Sequence, residues 1–414
     1  MQPNYIALAI PAFFIFILVE IFIARRQGKS YYYRLNDSIT DLACGIGQQT
    51  INILKKGLLV AGHFYIFDHY RFFELPTWLM WVVATIGVDF LYYWWHRLSH
   101  EVNFLWAIHV VHHQSEEYNL SVALRQAWFS GFSIWPFYIP LAFLGVHPTI
   151  FIASEAISVL YQFWIHTRTI GKLSFLEWFI NTPSHHRVHH GRNVKYLDRN
   201  YGAISIIWDR LFGSFQEEEE EPIYGTVTAY GSWNPIWANF HYWVDLFNQA
   251  RKAPYFTDKL KVWFMRPGWT PHGLEAKYDM ETAIQSDKPI RFNTKTPKGL
   301  PIYIAVNFLL VALASTGLIF FESSMPRTQV VIGVVLVLFT SLIWGGMFEK
   351  KPWAFPAEIA RLALIATLTI SYFCLNQLTT IVMIASTLAL IGLFVWLLRY
   401  RSVFATKTES AMTA

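Results

Sequence analysis

The sequence predicts an all-α integral membrane protein: a transmembrane helix bundle carrying a cytoplasmic histidine-box domain. Three observations predict it. The 414 residues are 54% hydrophobic and 18% aromatic but only 15% charged, whereas a soluble domain carries about 25% charged residues. Apolar runs long enough to span a bilayer recur along the chain. Of the 15 histidines, 11 fall between His96 and His190, on one side of the membrane that those runs define.

The elements follow in order. Residues 5–24 match the roughly 20 that a spanning helix needs. No basic stretch precedes this run and no small-residue cleavage site follows it, so it reads as a retained helix. Residues 46–67 form a weaker span, interrupted by Lys55 and Lys56. Residues 78–95 form a clear one. Runs at 128–144 and 149–165 flank "GVHP" and read as a helical hairpin, crossing fully or dipping part-way. The region from 202 to 297 is polar. Its acidic run Glu217–Glu221 reads as a solvated loop. Arg251, Lys252, Lys259, Lys261 and Arg266 alternate there with Tyr255, Phe256, Leu260, Val262, Trp263 and Phe264, which reads as an element lying on the membrane surface. Four further apolar runs, at 300–321, 329–347, 359–375 and 380–398, close the chain. The expected division is therefore 1–297, holding five spans and the histidines, and a C-terminal four-helix region at 298–414.

Cation placement orients the bundle. With Arg25, Arg26, Lys29 and Arg34 cytoplasmic, alternating crossings put Arg97, the 168–297 region, Lys350, Lys351, Arg399, Arg401 and Lys407 on the same side. Only Arg71 and Arg327 fall opposite. The histidine groups share the cytoplasmic side. Net charge is +5, with no basic–aromatic run that reads as a nucleic-acid site. Cys44 and Cys374 give neither a disulfide framework nor a CxxC metal site.

Three histidine groups have helical spacing: His96 and His100 in "HRLSH", His109, His112 and His113 in "HVVHH", and His186, His189 and His190 in "HRVHH". Steps of three and four share a helix face, so each group can aim its nitrogens at one point. Imidazole suits iron, zinc, copper and nickel. Eight histidines exceed the four that a single structural zinc uses, so two ions fit the count better. His166, one residue past the 149–165 run, is a further candidate ligand. His185 points about 100° from His186 on a helix, and is expected beside the ligands or facing substrate. His63, His69, His147, His241 and His272 are read as hydrogen-bonded interfacial residues.

With their flanks, "HRLSHEVNFLWAIHVVHHQSEEYNLSVALRQ" and "YQFWIHTRTIGKLSFLEWFINTPSHHRVHHGRN", the boxes resemble the membrane fatty acid hydroxylase / sterol desaturase superfamily, and within it the alkylglycerol monooxygenase branch. "RPGWTPHG" at 266–273 is similar too, and the likeness covers roughly 37–273. The resemblance implies a di-iron domain whose eight box histidines are iron ligands. It implies O2 as cosubstrate and tetrahydrobiopterin, or another external reductant, as electron donor. The reaction implied is hydroxylation of the carbon next to the ether oxygen of an alkylglycerol lipid, which then collapses to a fatty aldehyde and a glycerol lipid. A sterol desaturase or a fatty acid or other lipid hydroxylase would use the same ligands. A histidine-rich metal transporter is the alternative of another class, although transporters tend to bind at the bilayer midplane. The membrane is a bacterial inner membrane or the endoplasmic reticulum.

Other residues are candidates around the site. Glu101 follows the first box, as an acidic residue does in that branch, and is read as an iron ligand, a partner of one or a proton carrier, with an exposed helix-end carboxylate as the other reading. Asp89 lies seven residues before His96, on nearly the same face, where a carboxylate in a span needs a partner. A hydrogen bond to a ligand imidazole is expected, with a purely structural polar contact as the other reading. Arg125 and Gln126 are candidates for a lipid headgroup or an anionic cofactor, with interfacial anchoring of Arg125 as the other reading. Asn193 is expected to cap the third box or orient its ligands.

Overall fold

Long apolar runs free of turn residues become long helices here. The computed structural model describes residues 5–275, 291–376 and 380–405. Lys407 and residues 276–290 of the polar region lie outside them. The chain divides into two units, Met1–Gly231 with Trp237–Phe292, and Ser232–Ile236 with Asn293–Ala414. Among the described residues there is no strand, only an isolated bridge between Ile180 and Ser205.

In the first unit, α1 (Tyr5–Arg26), α2 (Leu35–Tyr70) and α3 (Thr77–Glu101) are followed by α4 (Asn103–His113) and a single turn, α5 (Leu120–Ala123). The hairpin is α6 (Ser130–Phe143) and α7 (Pro148–Trp164). The short α8 (Pro183–His189) and α9 (Ile207–Leu211) come next, then α10 (Pro235–Lys252) and α11 (Phe256–Phe264). The 46–67 run is only the middle of α2, whose 36 residues extend about 54 Å. Its Lys55 does not break the helix. The side chain is buried, and its ammonium meets the Trp128 carbonyl. The hairpin helices have 14 and 17 residues, or about 21 and 26 Å, against a hydrocarbon core of about 30 Å.

Among the described residues, four helical segments are long and apolar enough to cross a membrane: Leu8–Arg26, Leu300–Ser324, Arg327–Phe348 and Ala354–Ser371. The protein is thus an all-α, multi-pass membrane protein.

Packing in the first unit sets the height and rotation of α4. One face buries Ile108 and Val111 against Cys44 of α2 and Ala238 of α10. Ala107 packs with Leu246 and Val262 of α10 and α11. The remaining face carries the histidines. A second core, of Ala84, Val88, Tyr138, Leu141 and Phe151, joins α3 to the hairpin. Gly45 lets α2 approach the α5 turn, because a Cβ there would lie 2.2 Å from the Leu124 carbonyl oxygen.

The second unit contains α12 (Leu300–Phe321), α13 (Arg327–Phe348), α14 (Ala354–Asn376), α15 (Thr380–Leu398) and α16 (Arg401–Ala405). Inside it, Arg361 and Glu358 form a buried ion pair at 2.6 Å. Tyr303 donates to the same carboxylate, and Arg361 also donates to Asn307. Each charge is thus paired and hydrogen-bonded, as an ionisable group among apolar helices must be.

Candidate metal centre

The first box ends α3, the second ends α4, and the third occupies α8, whose Pro183 stands at a first-turn position where a missing N–H costs nothing. The structure brings all eight box histidines and His166 together, and all are buried. They form two groups, each with its nitrogens within 4.8 Å of one another. One holds His96, His100, His109, His113 and His189, and the other His112, His166, His186 and His190.

The sorting differs from one focus per box. On α4, His109 and His113 serve the five-histidine group and His112 the other. On the third box, His186 and His190 serve the four-histidine group and His189 the other. Residues i and i+4 lie about 40° apart on a helix, but i+3 lies about 100° from i+4. Adjacent histidines therefore diverge to neighbouring points.

The nitrogens meet nose to nose. Nε2 to Nε2 distances are 3.0 Å for His96–His109, 3.1 Å for His113–His109, 3.2 Å for His166–His112 and 3.0 Å for His186–His166. Ligands at right angles around an ion at the usual metal–nitrogen distance stand about 3 Å apart. Nε2 of His100, His189 and His190 is buried with no protein partner. These donors fit a nitrogen-coordinated metal pair.

Backbone carbonyls set the tautomers. Nδ1 of His96 donates to Tyr201 at 2.7 Å, His112 to Arg125 at 3.1 Å, His166 to Gln162 at 2.7 Å and His189 to Arg199 at 2.9 Å. A carbonyl only accepts, so each Nδ1 carries the proton and each Nε2 lone pair faces inward. Burial first, and repulsion from other imidazoles second, hold His96, His109, His113 and His190 well below the usual imidazole range. Burial lowers His112 to about 4. Neutral imidazole is the form that binds a metal.

The other candidates sit elsewhere. Asp89 does not bond an imidazole. It accepts the Ile204 N–H at 2.8 Å, the Ser205 N–H at 3.2 Å and the Trp208 indole at 2.8 Å, because the loop after the third box folds back over α3. Asp209 accepts the N–H groups of Tyr201 and Gly202 at 2.7 and 2.8 Å. The two carboxylates thus hold the loop whose Tyr201 carbonyl orients His96. Arg125 is turned inward rather than toward the membrane surface. It is 2% exposed and donates to Val111, Asp41 and Gln114, at 2.7, 3.0 and 2.7 Å. It thereby satisfies a carbonyl at the open end of α4 while its own carbonyl orients His112. Gln126 donates to Ala123.

Glu101 pairs with Arg97 and Arg266, at 3.1 and 3.7 Å. His185 is fully buried beside Phe215, with Glu177 at 3.9 Å. Asn193 neither caps α8 nor touches a ligand. It accepts the Ile223 N–H and donates to Glu220. The acidic run is a largely exposed loop, as read, but Glu218 grips Arg187 of the third box at 2.6 Å and Lys172 and Lys195 pair with its neighbours. Among the histidines read as interfacial, His63 is instead buried and stacked on Phe151.

Sequence reasoning missed Asp209, whose partners are backbone and leave no side-chain pattern. It also missed Glu20 of α1, buried and accepting from Thr167, Tyr33 and the Leu120 N–H. The argument applied to Asp89, a carboxylate in an apolar run, would have found it.

Comparison with known proteins agrees with this geometry. The fatty acid hydroxylase family model matches residues 81–214, a span that includes all nine histidines. Alkylglycerol monooxygenase of Xenopus tropicalis is 39% identical over 370 residues, covering 87% of this chain and 80% of that protein. This chain belongs to the alkylglycerol monooxygenase family. The human alkylglycerol monooxygenase is 35% identical, over 87% of this chain and 81% of its own. An ornithine lipid hydroxylase of Rhizobium tropici is 29% identical over a shorter stretch, 32% of this chain and 41% of its own. No solved structure matches. The long alkylglycerol monooxygenase alignments thus reach well beyond the histidine segment that the family model covers.

Proposed function

We propose that the chain is an O2-dependent di-iron lipid monooxygenase. It hydroxylates the carbon next to the ether oxygen of alkylglycerol lipids, and the product collapses to a fatty aldehyde and a glycerol lipid. The observation that carries this reading is the pair of adjacent, buried imidazole groups in a chain of the alkylglycerol monooxygenase family. The five- and four-histidine groups would each hold one iron ion, and the two Fe(II) ions would supply O2 activation and two of the electrons that O2 reduction needs. One oxygen atom enters the C–H bond and the other leaves as water. Two electrons and two protons come from a reduced pterin or another external donor.

The protein's own part is positioning. The carbonyls of Tyr201, Arg125, Gln162 and Arg199 keep the imidazoles in one tautomer. Trp95 and Tyr118 pack against the ligand rings and keep water out. Cation placement supports a cytoplasmic site in a bacterial inner membrane or the endoplasmic reticulum, within reach of a soluble reductant. Residues 1–297 form the catalytic part and 298–414 a separate helical region.

The test is metal content together with ether-lipid cleavage, with and without a reduced pterin, on wild type and His186→Ala. Two irons per chain and O2-dependent aldehyde release are expected, with iron and activity lost in His186→Ala. A fully active variant would falsify the ligand assignment. Bound zinc without O2-dependent product would overturn the oxygenase reading. Turnover of sterol or acyl lipid, but not ether lipid, would overturn the substrate.

A further inference from the structure

We propose that α10 and α11 form an in-plane membrane foot that recognises an anionic lipid surface next to the metal centre. On α11, Phe256, Leu260 and Phe264 are 73%, 51% and 69% exposed, while Asp258 and Val262 on the opposite side are buried. At 100° per residue the three apolar residues cover an arc of about 80°. Lys259 and Lys261 fall about 60° beyond its two edges, and both are exposed. An apolar stripe turned away from its own protein and edged by lysines suits a helix lying at the headgroup–acyl boundary. There the stripe enters the acyl region and the long side chains reach back to the headgroups.

The neighbouring helix repeats the pattern. Trp237, Phe240, Val244 and Phe247 of α10 are 41%, 38%, 42% and 60% exposed, at spacings of three, four and three, while Ala238 and Leu246 face the core. From 237 to 266 there are five basic residues, Arg251, Lys252, Lys259, Lys261 and Arg266, and two acidic ones, Asp245 and Asp258. Asp258 is buried and accepts from His272. The surface offered outward is therefore cationic as well as apolar, which favours anionic headgroups.

The Asn103 N–H donates to the Met265 carbonyl and its side chain to the Val262 carbonyl, both at 2.9 Å. This pins the end of α11 to the α3–α4 joint, between the two helices that end in the first and second boxes. The inference is independent of the reaction proposed above.

The experiment uses full-length protein in vesicles of phosphatidylcholine with a fifth phosphatidylglycerol, carrying an environment-sensitive fluorophore on Leu260→Cys. The fluorophore should blue-shift and be quenched more by lipid nitroxides at carbon 5 than at carbon 12. Nitroxide on phosphatidylglycerol should quench at least twofold more than on phosphatidylcholine, and Lys259→Gln/Lys261→Gln should bring that ratio close to one. Quenching by aqueous iodide with no effect of lipid nitroxides would overturn the proposal. So would shielding that tracks cross-linking between copies, which would make this face a protein interface. A Thr257→Cys label reports the edge of the same stripe, about 60° from Leu260. If both labels are quenched by iodide as fully as free dye, α11 is unfolded or fully solvated and the proposal also fails.

Discussion

At the residue scale, the histidines were legible because their chemistry is in their identity and their geometry in their spacing. Their supports were not. Asp209 acts on a backbone N–H that any residue could supply, and Arg125 meets an aspartate 84 positions away. Asp209 is buried, with its pKa raised to about 6 by that burial, yet it accepts the Tyr201 and Gly202 N–H groups and the Ser214 hydroxyl. Asp209→Asn keeps the volume but turns an acceptor into a donor facing N–H groups. The Tyr201 carbonyl should then shift and His96 lose its orientation. Partners one step behind metal ligands typically matter 10–100-fold. Iron affinity should fall within that range while the protein stays folded, as read by metal competition and by size-exclusion profile. Unchanged affinity would show that the loop holds itself.

At the scale of elements, the long helices were visible as apolar runs, and the hairpin by its "GVHP" break. The acidic run is the exposed loop its sequence suggests, but its partners were not legible, because like charges in sequence say nothing of the cations that the fold brings to them. Arg187, Lys172 and Lys195 lie 24 to 45 positions away from their glutamates in the pairs described. The joint between α2, α4 and the α5 turn rests on one buried ion pair, Arg125 with Asp41. Arg125→Met removes the cation and leaves Asp41 buried without it, which should cost about 3–5 kcal/mol. Adding Asp41→Asn should recover much of this loss, because breaking such a pair costs more than replacing it. Thermal unfolding in detergent, compared across the two singles and the double, measures the coupling. A double variant no better than Arg125→Met would mean that the carbonyl contact to Val111 matters more than the charge.

At the scale of the whole molecule, membrane class followed from composition, whereas the meeting of two histidine groups inside one unit needed coordinates. Stability should carry the imprint of those groups. An unfolded imidazole takes its proton near pH 6.5, while folded His112 takes one only near 4. Between those values the unfolded metal-free chain holds more protons than the folded one, so stability falls as pH drops and is retained in full above about 6.5. The other ligands lowered by burial add to the same trend, at up to about 1.4 kcal/mol per pH unit for each imidazole. Melting of chelator-treated protein at pH 7.5 and 5.5 should show the drop, and iron should raise both values by mass action. A pH-independent melt would exclude it. The paired histidines His112–His113 and His189–His190, one ring to each group, carry a last consequence. An ion that fixes His113 and His189 also fixes the backbone that presents His112 and His190. The entropy of ordering falls on the first arrival, and the second finds its seat already made. Loading should therefore be cooperative, with half-filled protein scarce. A lineage would not lose one ion and keep the other, because the second and third boxes each serve both groups.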